Sequence, residues 1–217
     1  RHEARAAAWE GAAPPFHTLA IDCRAGAHAT LAPAVPGLDD ALFANDGTMT
    51  KREIRAVTLA RLMPMPGALL WDVGAGAGSV AIEWMRAAPA ARAVAIEPRA
   101  DRRDLARRNA LALGVPGLDI REGSAPEALA GLPAPDAVFL GGGLSEETAA
   151  AALAALPRHG RLVANAVTLE SEAVLMALHA RHGGDLVRLA VSRAGPVGGL
   201  TGWRPAMPVT QWSLVIR

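Results

Sequence analysis

Of 217 residues one is a cysteine, Cys23, and one is a lysine, Lys51. A lone cysteine excludes an intrachain disulfide and a multi-cysteine zinc site, and it agrees with a reducing cytoplasm. The scarcity of lysine throws almost all positive charge onto arginine, a bias of composition that assigns no function. No apolar run reaches the roughly 18 residues that a membrane-spanning helix needs. The polar start "RHEARAAAWEG" lacks both an initiator methionine and the apolar centre of a signal peptide, so the chain reads as a piece of something longer. A formal net charge of +1, with only three phenylalanines and five tryptophans, gives neither the basic field nor the stacking aromatics of a nucleic-acid binder. What is present is an ordinary globular composition, 51% apolar and 20% charged, long enough for one domain with some excess.

The excess lies at the front. Residues 1–40 are rich in Ala, Pro and Gly and hold one strand-like piece, "HTLAIDC", between the turn signals "APPF" and "RAGAH". That strand has no neighbour in sequence to pair with. It reads as the tail of an upstream domain followed by the linker "AHATLAPAVPGLDD", with residues 41–217 as the main domain; the alternative is an ordered extension packed on that domain. From Thr50 the pattern is regular. "TKREIRAVTLARLM" predicts a helix with Ile54, Val57, Leu59 and Leu62 on one side, arginines on the other, and a capping box from Thr50 to Glu53. Strands and helices then alternate: "ALLWDVG", a helix over 79–88, "ARAVAIE", "RADRRDLARRNALALG", "LDIREG", the short helix "APEALAGL", "PDAVFLGGG", "SEETAAAALAALPRHG" with Ser145 as N-cap and Gly160 just past its end, "RLVANAV" and "LESEAVLMALHARHG". Two last strands, "DLVRLAVSR" and "VTQWSLVIR", are joined without a helix by "AGPVGGLTGWRPAMP". This order predicts an α/β fold, a doubly wound and mostly parallel seven-stranded sheet with an antiparallel C-terminal hairpin.

Ligands of such sheets bind at the carboxyl ends of the strands, and the first strand ends in "WDVGAGAGSV". Glycines at alternate positions let backbone approach a ligand closely. A dinucleotide fingerprint would place its third glycine at Ser79; here it is Gly78, one place early, and Asp72 precedes Gly74 by two positions. A carboxylate there repels a pyrophosphate and suits a cation, so S-adenosylmethionine, with a sulfonium, an ammonium and no phosphate, fits better than NAD. Glu97 ends the second strand, where it can accept from both ribose hydroxyls, and Ser124 with the backbone around Ala125 follows the third, where it can meet the adenine edge. Asp72, the run Gly74, Ala75, Gly76, Ala77 and Gly78, Glu97 and Ser124, each at a strand end, point to a class I S-adenosylmethionine-dependent methyltransferase fold.

Seven stretches, "DGTMTKREIRAVTLARL", "WDVGAGAGSVAIEW", "AIEPRADR", "GSAPEAL", "PDAVFLGGG", "NAVTLE" and "SRAGPVGG", resemble the decarboxylating precorrin-6 methyltransferases of cobalamin biosynthesis over nearly all of residues 39–217. The likeness is greater to the C-terminal domain of the two-domain, C(5,15)-methylating members, whose upstream part is a separate tetrapyrrole methylase domain. The resemblance implies methylation of carbon 15 of a precorrin-6 tetrapyrrole and decarboxylation of the acetate on carbon 12. It also implies cofactor contacts at Thr50, Gly74 to Gly78, Glu97 and Ala125, and a homo-oligomer, a tetramer among its forms. "FLGGGLS" departs from the family's more usual Gly-Gly-Ser-Gly, and "SRAGP" stands where a second arginine is common.

The chemistry can be argued from the residues as well. A nucleophilic ring carbon attacking a sulfonium methyl needs positioning more than a strong base, and the small residues of "GGG" leave room for a wide, flat substrate. Decarboxylation uses the conjugated macrocycle as electron sink, provided the acetate is kept from water and from neutralising cations. Precorrins carry many carboxylates, which arginines can grip. Candidates to meet this substrate are Lys51, Asn165, Thr168 and Arg193, with Arg204 across the terminal loop; Glu170 and His159 read as helix-end residues. Rival readings are a class I methyltransferase acting on RNA or on a protein carboxylate, and a non-catalytic cofactor-binding module.

Overall fold

In the computed structural model, which describes residues 3–27, 29 and 32–217, the chain divides into two units, residues 1–31 and 32–217. The described residues of the first are exposed and carry one 3-10 turn, Ala6–Ala8. The expected strand "HTLAIDC" does not form: Leu19 and Ile21 stand open to solvent, and the segment pairs with no strand among the described residues, so no ladder offsets its ordering entropy. Of the expected linker, residues 28, 30 and 31 lie outside the described residues, whereas Leu38 is buried in the core of the second unit.

The second unit runs α1 (Arg52–Leu62), β1 (Leu69–Val73), α2 (Ser79–Ala87), β2 (Arg92–Ile96), α3 (Ala100–Ala112), β3 (Asp119–Arg121), β4 (Ala137–Leu140), α4 (Glu146–Ala155), β5 (Arg161–Ala166), α5 (Leu169–His182), β6 (Asp185–Leu189), β7 (Ser192–Val197), β8 (Leu200–Pro205) and β9 (Val209–Val215). Seven of these strands form one sheet in the order β3-β2-β1-β4-β5-β9-β6. Pairs from β3 to β5 are parallel, and β9 runs antiparallel to both β5 and β6. The mostly parallel doubly wound sheet with its antiparallel C-terminal pair is therefore the fold, with β9 inserted beside β5 and β6 left at the edge.

β1 is buried along its whole length because helices cover both faces of the sheet. Successive side chains go to opposite layers. Leu70 packs with Phe139, Val163 and residues of α1, α2 and α3, while Leu69, Trp71 and Val73 pack with α4, α5 and Trp212. From β1 the chain winds one way to β2 and β3, then returns to β4 on the other side. The reversal puts the switch point between the carboxyl ends of β1 and β4, where open α/β sheets bind ligands.

Four local expectations are corrected. Lys51, not Thr50, occupies the N-cap of α1 and no side chain caps it, so the capping box is absent. Arg55, expected on the solvent side of α1, is fully buried. Ser145 does cap α4, accepting from the Thr148 N–H, but α4 stops at Ala155, ahead of Pro157. Gly160 and His159 lie in the turn beyond it, where the His159 N–H donates to the Ile216 carbonyl. The joining loop is no plain loop, for β7 and β8 make a separate antiparallel pair within it.

Candidate cofactor site

The turn after β1 is shaped by three glycines with positive φ, Gly74 at 70°, Gly76 at 56° and Gly78 at 76°. Each is needed for a different reason. A Cβ on Gly74 would lie 2.5 Å from the Gly142 Cα, so the loops after β1 and β4 meet backbone to backbone across the switch point. A Cβ on Gly78, the N-cap of α2, would press on Ala106 of α3 at 3.1 Å. Around Gly76 there is space: the first atom a Cβ would meet is the Thr48 carbonyl oxygen, at 3.8 Å. The turn is docked by the N–H groups of Gly74 and Ala75, both donating to the Ile96 carbonyl, and Ala77 is buried beneath it. In "GGG" a Cβ would strike Phe139 from Gly141, and Gly142 serves the contact with Gly74; only Gly143 faces open space.

Two buried carboxylates flank the turn. Glu97 accepts from the Gly76 N–H at 2.9 Å and from the Arg99 N–H at 3.0 Å, one bond per oxygen, which leaves each oxygen further acceptor capacity. Asp72 caps α2 from behind, its Oδ2 accepting from the Ala81 N–H at 2.9 Å, while its Oδ1 is buried with no partner among the described residues. Burial pushes the Asp72 carboxyl up to about 7; the Ala81 N–H pulls the other way and the Glu97 charge adds to the rise. Beyond Glu97, Arg103 of α3 donates to the carbonyls of Glu97 and Pro98 and pairs with Glu122 at 2.7 Å, tying the end of β2 to the end of β3. Ser124 and Ala125 follow there, Ser124 exposed and accepting from the Ala128 N–H through its carbonyl. The short helix expected after them is a single 3-10 turn, Glu127–Leu129.

Residues 37–50 run over the glycine turn, and sequence reasoning missed what holds them. The Glu83 carboxylate of α2 accepts from the N–H groups of Gly37 and Leu38. Arg55 donates to Glu83 at 2.5 Å, to Asp40 at 3.1 Å and to the carbonyls of Thr50 and Leu38, with its guanidinium 4.7 Å above the Phe43 ring. Thr50, an expected cofactor contact, thus has its carbonyl fixed while its side chain makes no cap.

The expected substrate residues are not gathered as tightly. Asn165 near the end of β5 joins Thr58 of α1 and Gln211 of β9 in a buried cluster, with Asn165 Nδ2 to Thr58 Oγ1 at 3.1 Å and Gln211 Nε2 to Asn165 Oδ1 at 2.9 Å. Thr168 is the N-cap of α5, accepting from the Ser171 N–H at 3.3 Å, and Glu170 lies in that helix's first turn. Lys51 is half-buried and makes no ion pair among the described residues. Arg193 of β7 pairs with Glu53 of α1 and stands 3.8 Å from Asp40, while Arg204, opposite it on β8, donates to the Pro196 carbonyl. Among the described residues no group of His, Cys, Asp or Glu could hold a metal, and no helix is long and apolar enough to cross a membrane.

A family model described as "Precorrin methyltransferase domain" matches residues 41–216. This chain belongs to that family. A Sinorhizobium protein named "Precorrin-6Y C(5,15)-methyltransferase [decarboxylating]" is 55% identical over 204 residues, 94% of this chain and 49% of that protein. The chain therefore spans about half the length of such curated relatives. A Pyrobaculum calidifontis protein named "Probable cobalt-precorrin-6B C(15)-methyltransferase (decarboxylating)" is 41% identical over 144 residues, 64% of this chain and 73% of that one. The crystal structure of the C-terminal domain of precorrin-6Y C5,15-methyltransferase from Rhodobacter capsulatus superposes with a TM-score of 0.80 at 48% identity, covering 85% of this chain and all of that one.

For a precorrin methyltransferase domain, the geometry divides the sequence-derived candidates into two groups. Asp72, Gly74 to Gly78 and Glu97 lie around one turn, while Thr50 is tied to Arg55 of α1 and Ser124 and Ala125 lie one strand further on. Lys51 stands at the N-cap of α1, Arg193 pairs with Glu53 in that helix's first turn and Asn165 bonds its Thr58, while Thr168 caps α5. Arg55, Glu83, Arg103 and Asn109 were missed, since a polar residue in a helical stretch carries no local sign that it is buried.

Proposed function

We propose that this chain binds S-adenosylmethionine in the cleft after β1 and methylates carbon 15 of a precorrin-6 tetrapyrrole, the acetate on carbon 12 losing its carboxylate as carbon dioxide and, after taking up a proton, remaining as a methyl group. The observation that carries the reading is Asp72, a buried carboxylate with one unpartnered oxygen, set beside Glu97 at the switch point of a precorrin methyltransferase domain. Two carboxylates that feel each other's charge favour a cation and oppose a pyrophosphate. The residues present fit the cofactor. Asp72 answers its positive charge, Glu97 has acceptor capacity for a ribose diol, Gly76 leaves space for close backbone approach, and Thr50, Ser124 and Ala125 complete the rim. When bound, the cofactor supplies an electrophilic methyl group on a sulfonium whose leaving group is a neutral sulfide.

What the chain's own residues do follows from their places. The Gly74–Gly142 contact fixes the cleft's floor, so the methyl acceptor is delivered by positioning. Lys51, Asn165, Thr168 and Arg193 are the substrate-facing candidates. Arg193 would exchange Glu53 and Asp40 for a substrate carboxylate, a swap that costs little because the group is half exposed. Residues 1–40 are part of the same reading, as the tail of an upstream tetrapyrrole methylase domain and a linker whose end, residues 37–40, is docked on α1 and α2 of the methyltransferase domain, 41–217. So are a cytoplasmic setting and a homo-oligomer such as a tetramer. The test is incubation of this chain with methyl-labelled S-adenosylmethionine and a precorrin-6 substrate, read by mass spectrometry. One methyl gained with one carbon dioxide lost supports the proposal. Two methyls gained would show that no other domain is needed, and a substrate left unchanged while cofactor is bound would sink the assignment of activity.

A further inference from the structure

We propose that residues 37–50 are a pre-formed strap over the cofactor turn, and that Asn109 and Arg55 are the positioning residues that set its place and with it the cofactor affinity. The inference rests on reading the cleft as the S-adenosylmethionine site. Asn109 lies on α3 and is buried. Its Oδ1 accepts from the Ala44 N–H at 2.8 Å, and its Nδ2 donates to the Ala44 carbonyl and to the Ala77 carbonyl, both at 2.9 Å. Ala77 belongs to the glycine turn and Ala44 to the strap, so a single amide side chain fastens one to the other, with both Nδ2 hydrogens used.

Arg55 fastens the two ends. Its acceptors are the Leu38 and Thr50 carbonyls, Asp40 and Glu83, and Glu83 in turn holds the N–H groups of Gly37 and Leu38. A buried ion pair is a poor source of net stability, because desolvation of both charges offsets their attraction. What this one does supply is geometry: three hydrogen bonds from a rigid fork, itself anchored on Glu83, specify where residues 38, 40 and 50 stand. A third tie, at the surface, joins Asp46 to Arg102 of α3 at 2.8 Å, and the Asp46 carboxylate also accepts from the Thr48 N–H. Between these ties the Thr48 carbonyl is held 3.8 Å from where a Cβ of Gly76 would be. A strap fixed before binding spares the cofactor the entropy of ordering it.

The test is calorimetric titration of S-adenosylhomocysteine into wild type, Asn109→Asp and Arg55→Lys, at a temperature where circular dichroism shows all three folded. Asn109→Asp keeps the shape and the acceptor for Ala44 but sets a carboxylate against two carbonyls. Arg55→Lys keeps the charge and loses the fork. Each should weaken binding about tenfold, the loss of one or two buried hydrogen bonds. Amide exchange of residues 44–50 should quicken in the same variants while β1 and β4 stay protected, a local change that general destabilisation would not give. Should one variant fail to fold, the other decides, and Asp46→Asn, at the exposed third tie, should weaken binding about threefold by the loss of a surface pair. Folded variants that bind as tightly as wild type overturn the strap. A wild type that binds no S-adenosylhomocysteine overturns the cofactor reading itself, and the strap with it.

Discussion

The two sides of the cleft are built differently. On the cofactor side Asp72, Glu97, Ala77 and Gly78 are buried, three of the four carboxylate oxygens accept from a backbone N–H among the described residues, and Gly74 cannot carry a side chain without striking Gly142. On the substrate side the candidates are exposed or spent on other tasks: Thr168 caps a helix, Asn165 is locked to Thr58 and Gln211, and Arg193 is neutralised by Glu53 and Asp40. On the proposed reading, one side is pre-organised for a cofactor of fixed shape that carries a positive charge. The other holds its charges in exchangeable pairs, which suits a large ligand that brings its own carboxylates. A side that is rigid should fail abruptly when touched, and a side that exchanges partners should fail gradually.

The largest effect should come from Gly74→Ala. A Cβ there meets the Gly142 backbone at 2.5–2.8 Å and the residue needs a φ of 70°. Forced shifts and left-handed strain together should cost about 3 kcal/mol of stability, read in urea denaturation, and abolish cofactor binding. Little change in either would mean that the two loops do not touch. Glu97→Ala should come next. It removes the acceptor for the Gly76 N–H as well as the proposed ribose contact, weakening S-adenosylhomocysteine binding by about 1–3 kcal/mol in calorimetry.

Asp72 sharpens the comparison through pH. Its carboxyl titrates at 3.8 when unfolded and at about 7 when buried beside Glu97. Between those values the cofactor-free folded protein binds a proton that the unfolded chain does not, so stability falls as pH rises through the window. Asp72→Asn should flatten that slope, and a bound cation should do the same in wild type; thermal melts from pH 4 to 8 give the reading. The smallest effect belongs to Arg193→Ala. It removes a half-exposed ion pair, so folding should change by less than about 1 kcal/mol while substrate affinity falls and cofactor affinity holds. Equal loss of both affinities would put Arg193 on the rigid side.

What was legible in the sequence follows the same division. Strand ends are fixed by local alternation, so Asp72, Gly74 to Gly78 and Glu97 could be read in place, and the sheet with them. Glycine itself was legible but its reason was not. "GGG" reads as room for a substrate, whereas Gly142 is needed because Gly74, 68 residues earlier, lies against it. Arg55 and Asn109 were illegible for a related cause. Their partners are up to 65 residues away, and arginine or asparagine in a helical stretch reads as surface until the fold brings main-chain acceptors to it. The β7–β8 pair hid in a stretch rich in glycine and proline, which signals turns more strongly than strands.

On the proposed reading, the cleft after β1 is built for a cation on a nucleoside rather than for a pyrophosphate. Parallel calorimetric titrations of S-adenosylmethionine and NAD into the purified chain at pH 7.5 test it most directly. The account predicts one molecule of S-adenosylmethionine bound per chain, an affinity reduced in Asp72→Asn and Glu97→Ala, and no heat from NAD. Saturable NAD binding with none for S-adenosylmethionine would contradict it.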